Sequence, residues 1–121
     1  MASSDVRRLH ASYAVHGDES LDRTFPLDDG ETILGRGDGR VRQDGRTVRA
    51  DYRISTDRLC IVTHRRVRHG EALSIPRSSI GAVDGPDGRG RVTVAIDDGT
   101  IVVVTPATRA QAVALVDTLS T

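Results

Sequence analysis

At 121 residues the chain is long enough to bury one apolar core without disulfide or metal staples. Its 17 basic residues, all arginine, balance 17 acidic ones, so no global field draws it to a polyanion. One cysteine, Cys60, excludes an internal disulfide, and no run approaches the roughly 18 apolar residues of a membrane helix.

The first 23 residues read as an N-terminal helix or flexible segment with a linker, ahead of a domain over 24–121. Val6, Leu9 and Tyr13 have helical spacing, a helix begun near Ser4 would end at Gly17, and "DESLDR" reads as the linker. "MASSDVRRLHASY" lacks the unbroken apolar stretch of a signal peptide. With the single thiol, that predicts a cytoplasmic protein, peripheral at the membrane if it binds lipid. Lysine and asparagine are both missing, which reads as the codon bias of a GC-rich bacterial genome.

Six Asp-Gly pairs punctuate the chain, at 29–30, 38–39, 44–45, 84–85, 87–88 and 98–99. Both residues tolerate positive φ, so the short β-rich segments between them predict an antiparallel meander. A first strand is expected over 32–34, and "RGDGRVRQDGRTVRA" (36–50) as a solvated hairpin or mobile loop. "DRLCIVT" and "VRHGEALSI" supply the next two strands, with a loop from Thr63 to Arg66 that pairs Val62 with Val67. That register puts Cys60 opposite His69, and Arg68 on a strand face opposite Ile61.

In "RVTVAIDDGTIVVVTP" a two-residue Asp98-Gly99 turn pairs Ile96 with Ile101 and Val94 with Val103. Val92, Val94, Ile96, Ile101 and Val103 then share one apolar face, and Val102 and Val104 point the other way. The period finally changes to 3.6. Thr105 can cap, Pro106 suits the first helical position, and Ala112, Leu115, Val116 and Leu119 form the stripe of an amphipathic helix.

Several of these segments, in this order, resemble bacterial pleckstrin-homology-like (PH-like) domains of the GRAM type: "GETILGRGDG", "IVTHRRV", "LSIPRSSIGAV", the closing hairpin and the helix. The resemblance covers residues 30–119. It implies a mainly β fold, a strongly bent antiparallel sheet or partly open barrel of about seven strands, with one end plugged by the C-terminal helix. It implies a structural turn role for Thr63, Arg65 and Arg66. Arg65, Arg66, Arg68, Arg40 and Arg42 are the candidate contacts for a phosphate or anionic headgroup. Two features depart from the family pattern: Val67-Arg68-His69 replaces the aromatic after the Arg-Arg pair, and the helix has no tryptophan.

Other chemistries fit poorly. "GRGDG" is not a dinucleotide fingerprint, since position 40 is Arg and Asp-Gly turns follow. Cys60, His69 and His64 do not line up as a tetrahedral zinc set. Ser78, Ser79 and the four histidines have no recognised nucleophile–base spacing, so no enzyme, metal or cofactor is expected. Nucleic-acid binding lacks its basic stripe and stacking aromatics. The expected function is a small non-enzymatic PH/GRAM-like binding or scaffold module for a protein partner or a homo-oligomer, with an anionic lipid headgroup as the second reading. The alternative is a forkhead-associated-like phosphopeptide-binding domain, in which Arg36 of "FPLDDGETILGRGDG" would contact phosphothreonine. That family's Ser-Arg-x-x-His block is missing here.

Overall fold

The computed structural model describes residues 7–11, 18–43, 45–64 and 70–120. In chain order the elements are β1 (Arg7–Ala11), α1 (Asp18–Thr24), β2 (Ile33–Gln43), β3 (Arg46–Ser55), β4 (Arg58–His64) and β5 (Gly70–Pro76). A 3-10 turn (Arg77–Ser79) leads to β6 (Ile80–Asp84), β7 (Val92–Ile96), β8 (Ile101–Pro106) and α2 (Arg109–Leu119). The strands form one antiparallel sheet in the order β1-β5-β4-β3-β2-β8-β7-β6. The expected class, mainly β with a C-terminal helix, holds. The sheet is open, with β1 and β6 as its edges.

Period-two alternation gives the sheet two faces. On the inner face Val41, Ala50, Tyr52, Ile54, Leu59, Ile61, Leu73, Ile75, Val92, Val94, Ile96, Val102 and Val104 pack against Ala112, Leu115 and Leu119 of α2. The helical stripe is therefore the expected one. Its cap is Thr108, not Thr105: the Thr108 hydroxyl accepts the Gln111 N–H at 3.1 Å. Thr105 and Pro106 stay in β8, paired with Arg40 and Gly39.

Two registers differ from expectation. The β7–β8 loop takes three residues, Asp97, Asp98 and Gly99, rather than two. Gly99 sits at φ 89°, its N–H donates to the Ile96 carbonyl at 2.9 Å, and Asp98 Oδ1 accepts the Thr100 N–H at 2.8 Å. Val94 therefore pairs with Val102 and Ala95 with Ile101. One residue of slip exchanges the faces, so Val102 and Val104 are buried while Ile101 is 61 % exposed.

The β4–β5 pairing is displaced by five residues: Cys60 faces Ser74 and Ile61 faces Leu73. This register matches Leu59 and Ile61 with Ile75 and Leu73 on the core face, where the expected one would have set Arg68 against Ile61. His64 ends β4, so Thr63 is a buried strand residue paired with Ala50, not a turn residue.

The N-terminal expectations also change. Residues 7–11 are a strand on the β5 edge rather than part of a helix, and the "DESLDR" segment is α1 rather than a linker. Leu21 and Phe25 lie four apart and bury against Cys60, Val62 and Ala72 on the outer face, tying α1 to β4 and β5. Within the 36–50 stretch, β2 and β3 pair as a hairpin, with Gln43 opposite Arg46.

Candidate functional site

The outer face of β3 carries Arg49, Asp51, Arg53 and Ser55 in alternation with the core residues Ala50, Tyr52 and Ile54. Arg53 is 1 % exposed, an unusual position for a charge. It lies opposite Arg36 of β2, a like-charge pair that opposes sheet formation unless neutralised. Asp22 of α1 neutralises it. Its carboxylate accepts from Arg53 Nη1 at 2.9 Å and from Arg36 Nη2 at 2.9 and 3.0 Å, while Arg53 Nη2 donates to the Phe25 carbonyl at 2.7 Å. Burial pulls the Asp22 carboxyl up, and the two guanidinium groups outweigh it and hold it below its usual range.

A second network ties the residues before β2 to the β3–β4 turn. Glu31 accepts from Arg58 Nε at 2.9 Å, Arg58 Nη2 at 3.0 Å, the Asp28 N–H at 2.9 Å and the Ser55 hydroxyl. Burial raises the Glu31 carboxyl, but these donors, led by Arg58, bring it down to about 2. A depressed folded value means that ionised Glu31 stabilises the fold above its ordinary value near 4.5. That contribution, at most about 3 kcal/mol, is lost as pH falls toward 2. Urea unfolding between pH 5 and 2.5 should therefore show a steep acid-side loss, and Glu31→Gln should flatten it. An unchanged slope in the variant would remove this account.

Arg58 also donates to the Pro26 carbonyl and lies over the Phe25 ring, 5.8 Å from its centroid. Asp28, Glu31 and Asp57 bring carboxylate oxygens within 4.8 Å of one another. Both Glu31 oxygens, however, already accept from cationic or hydroxyl donors. His64 Nε2 lies 2.5 Å from Asp51 Oδ2. Cys60 is buried beside Arg53 and Ser74, and burial pushes its thiol up. Of the three residues set aside for zinc on sequence grounds, Cys60 and His64 have other neighbours, and His69 lies outside the described residues.

The glycines of "GRGDG" serve the sheet. A Cβ on Gly37 would overlap the Tyr52 ring, and one on Gly39 would run into the Thr105 carbonyl and Pro106 backbone. The enclosed Tyr52 hydroxyl is pushed up to about 12 by burial and by the nearby Asp38 charge. Asp38-Gly39 is consequently a strand feature, not the turn expected from its dipeptide.

Most of the arginines among the described residues fall into two groups. Arg36, Arg53, Arg58, Arg77, Arg91 and Arg109 all have polar partners; Arg77 donates to the Thr118 carbonyl at 2.8 Å, and Arg91 Nε to Asp87 at 2.7 Å. Arg40, Arg42, Arg46 and Arg49 are exposed on the β2–β3 hairpin, and among the described residues none of their side chains has an ion-pair or hydrogen-bond partner. Arg40 and Arg49 face each other directly across the strands. Arg40 and Arg42, two of the expected contacts, thus share the outer face with Arg49, while alternation from Val48 and Ala50 puts Arg46 on the opposite side of the hairpin. Arg65, Arg66 and Arg68 lie outside the described residues.

No protein-family model and no curated protein matches the chain. Among solved structures, the C-terminal domain of an unknown protein from Leishmania infantum is similar, with a TM-score of 0.65 and 18 % identity. The match covers 86 % of this chain and 98 % of that one. The likeness is one of fold. Among the described residues no helix is long and apolar enough to cross a membrane.

Proposed function

We propose that the chain is a small, non-enzymatic, PH/GRAM-like module that binds a protein partner through the β2–β3 hairpin. The observation that carries this reading is the group of exposed arginines on that hairpin, Arg40, Arg42, Arg46 and Arg49, whose side chains have no partner among the described residues, whereas Arg36, Arg53, Arg58, Arg77, Arg91 and Arg109 are tied to carboxylates or carbonyls. Arg40, Arg42 and Arg49 crowd the end of the hairpin's outer face beyond the Asp38–Asp51 pair, and like charges so placed favour an acidic surface opposite. The PH/GRAM-like build draws support from seven strands, β2 to β8, lying side by side with α2 across their inner face.

An anionic headgroup is the second reading, because arginine also pairs with phosphate. It has less support: beside the turn Val41 is buried and Val48 half-buried, and the exposed Leu34 lies at the far end of β2 from the exposed arginines. The phosphopeptide alternative would require Arg36 to exchange Asp22, held by two hydrogen bonds, for phosphate.

The test is affinity capture from the native cell with the wild-type chain and an R40Q/R42Q/R46Q/R49Q variant. A specific protein should be retained by the wild type and reduced at least tenfold by the variant. Equal capture by both would remove the proposal, and binding of the wild type to phosphatidylserine vesicles instead would replace it with the lipid reading.

A further inference from the structure

Among the described residues the outer face is covered on one side only. α1 lies over β4 and β5, while the outer faces of β8, β7 and β6 have no element upon them among the described residues. Backbone pairing sets that uncovered face into rows. One row runs Arg42, Val103, Thr93, Asp84 across β2, β8, β7 and β6; the next runs Ile101, Ala95, Ala82. Ile101 is the most exposed large aliphatic residue described, at 61 %. Ala82 is exposed, and Ala95, Val103 and Thr93 are half-buried. The surface is therefore positive at Arg42 on β2, negative at Asp84 on β6, and apolar between.

A surface with that order of charge is complementary to itself. A two-fold axis parallel to the strands, lying in the contact plane between β7 and β8, reverses the order across the strands and keeps the order along them. Arg42 of one copy then meets Asp84 of the other, Val103 meets Thr93, and Ile101 meets Ala95. We infer that the outer face of β6–β8 is a self-association surface, and that its partner is a second copy of this chain packed face to face. The contact is isologous, so each charge pair occurs twice.

The proportions make the dimer weak. Four strands span about 14 Å between the outer two, and five-residue strands about 17 Å, so each copy offers well under the roughly 800 Å² of a stable interface. The same axis brings the Asp97-Asp98 turns of the two copies toward each other, a repulsion that weakens the contact further. Dissociation constants on the order of 0.1–1 mM are expected. This inference goes beyond the partner reading and is independent of it; Arg42 alone is shared.

Sedimentation equilibrium of the full chain from about 20 μM to 1 mM tests it, spanning the range expected for so small an interface. The wild type should follow a monomer–dimer isotherm. R42E and D84R should each weaken dimerisation at least tenfold, and R42E/D84R, which restores the pair with reversed signs, should recover most of the loss. I101D, at an exposed position, should abolish the dimer without unfolding the protein, and D98N should tighten it. A strictly monomeric wild type, a dimer indifferent to I101D, or a double variant no better than the singles would overturn the inference. A monomeric protein that still captures its partner through the hairpin arginines would overturn this inference and leave the proposed function standing.

Discussion

Replacing Gly39 with alanine should destabilise the protein by about 3 kcal/mol or more, and it should cost far more than the same change at Gly45. Both glycines have positive φ, 155° and 77°, so backbone strain of about 1 kcal/mol is common to the two substitutions. They differ in surroundings. A Cβ at Gly45 meets nothing within 4 Å, whereas at Gly39 it meets the Thr105 carbonyl and the Pro106 backbone, neither of which can rotate away. Overpacking of that kind adds about 1–3 kcal/mol. The site also matters to the whole sheet: among the described residues the β2–β8 ladder, from Gly39 opposite Pro106 to Arg42 opposite Val103, is the only pairing that joins β1 to β5 with β6 to β8. Urea unfolding of the two variants side by side decides the matter, and equal losses would mean that the close approach is not what makes Gly39 necessary.

Arg53→Ala should cost about 3–5 kcal/mol, the range for removing one partner of a buried charged network together with its packing volume. The side chain is 1 % exposed, and its loss strips the Phe25 carbonyl of its donor and leaves a void beneath α1. Arg53→Met, which keeps much of the volume and buries no charge, should cost only about 1–2 kcal/mol. The unpartnered, buried Arg53 Nε is consistent with that smaller figure, because part of the guanidinium is desolvated without return. Asp22→Ala should fall between them, since it leaves Arg36 and Arg53 opposed without their shared carboxylate. If Arg53→Met were as damaging as Arg53→Ala, the charge network rather than packing would dominate here.

Much of the fold was legible because periodicity reports burial directly. The 3.6 spacing of Ala112, Leu115 and Leu119 and the alternation of Val92, Val94 and Ile96 both read correctly against the core. Registers were less legible, since they depend on loop conformation. Asp97-Asp98-Gly99 can close as a two- or a three-residue loop, and the choice moves Ile101 from the core to the surface. In β4–β5 the pairing is decided by which apolar residues can meet across strands far from the turn. α1 escaped notice because two apolar residues, Leu21 and Phe25, anchor it within a mostly polar stretch. The basic residues were the hardest to sort: composition cannot tell that Arg36 and Arg53 share Asp22 while Arg40 and Arg49 face each other without a carboxylate.

The account turns on that division of the arginines into those that hold the sheet and those left to hold a partner. Urea unfolding of R40Q/R42Q/R46Q/R49Q, run beside Arg53→Ala, tests it most directly. The account predicts that the fourfold variant stays within about 0.5 kcal/mol of the wild type, as exposed sites without contacts do, while Arg53→Ala loses several times that. A loss above about 2 kcal/mol in the fourfold variant would place those arginines in the structure and contradict it.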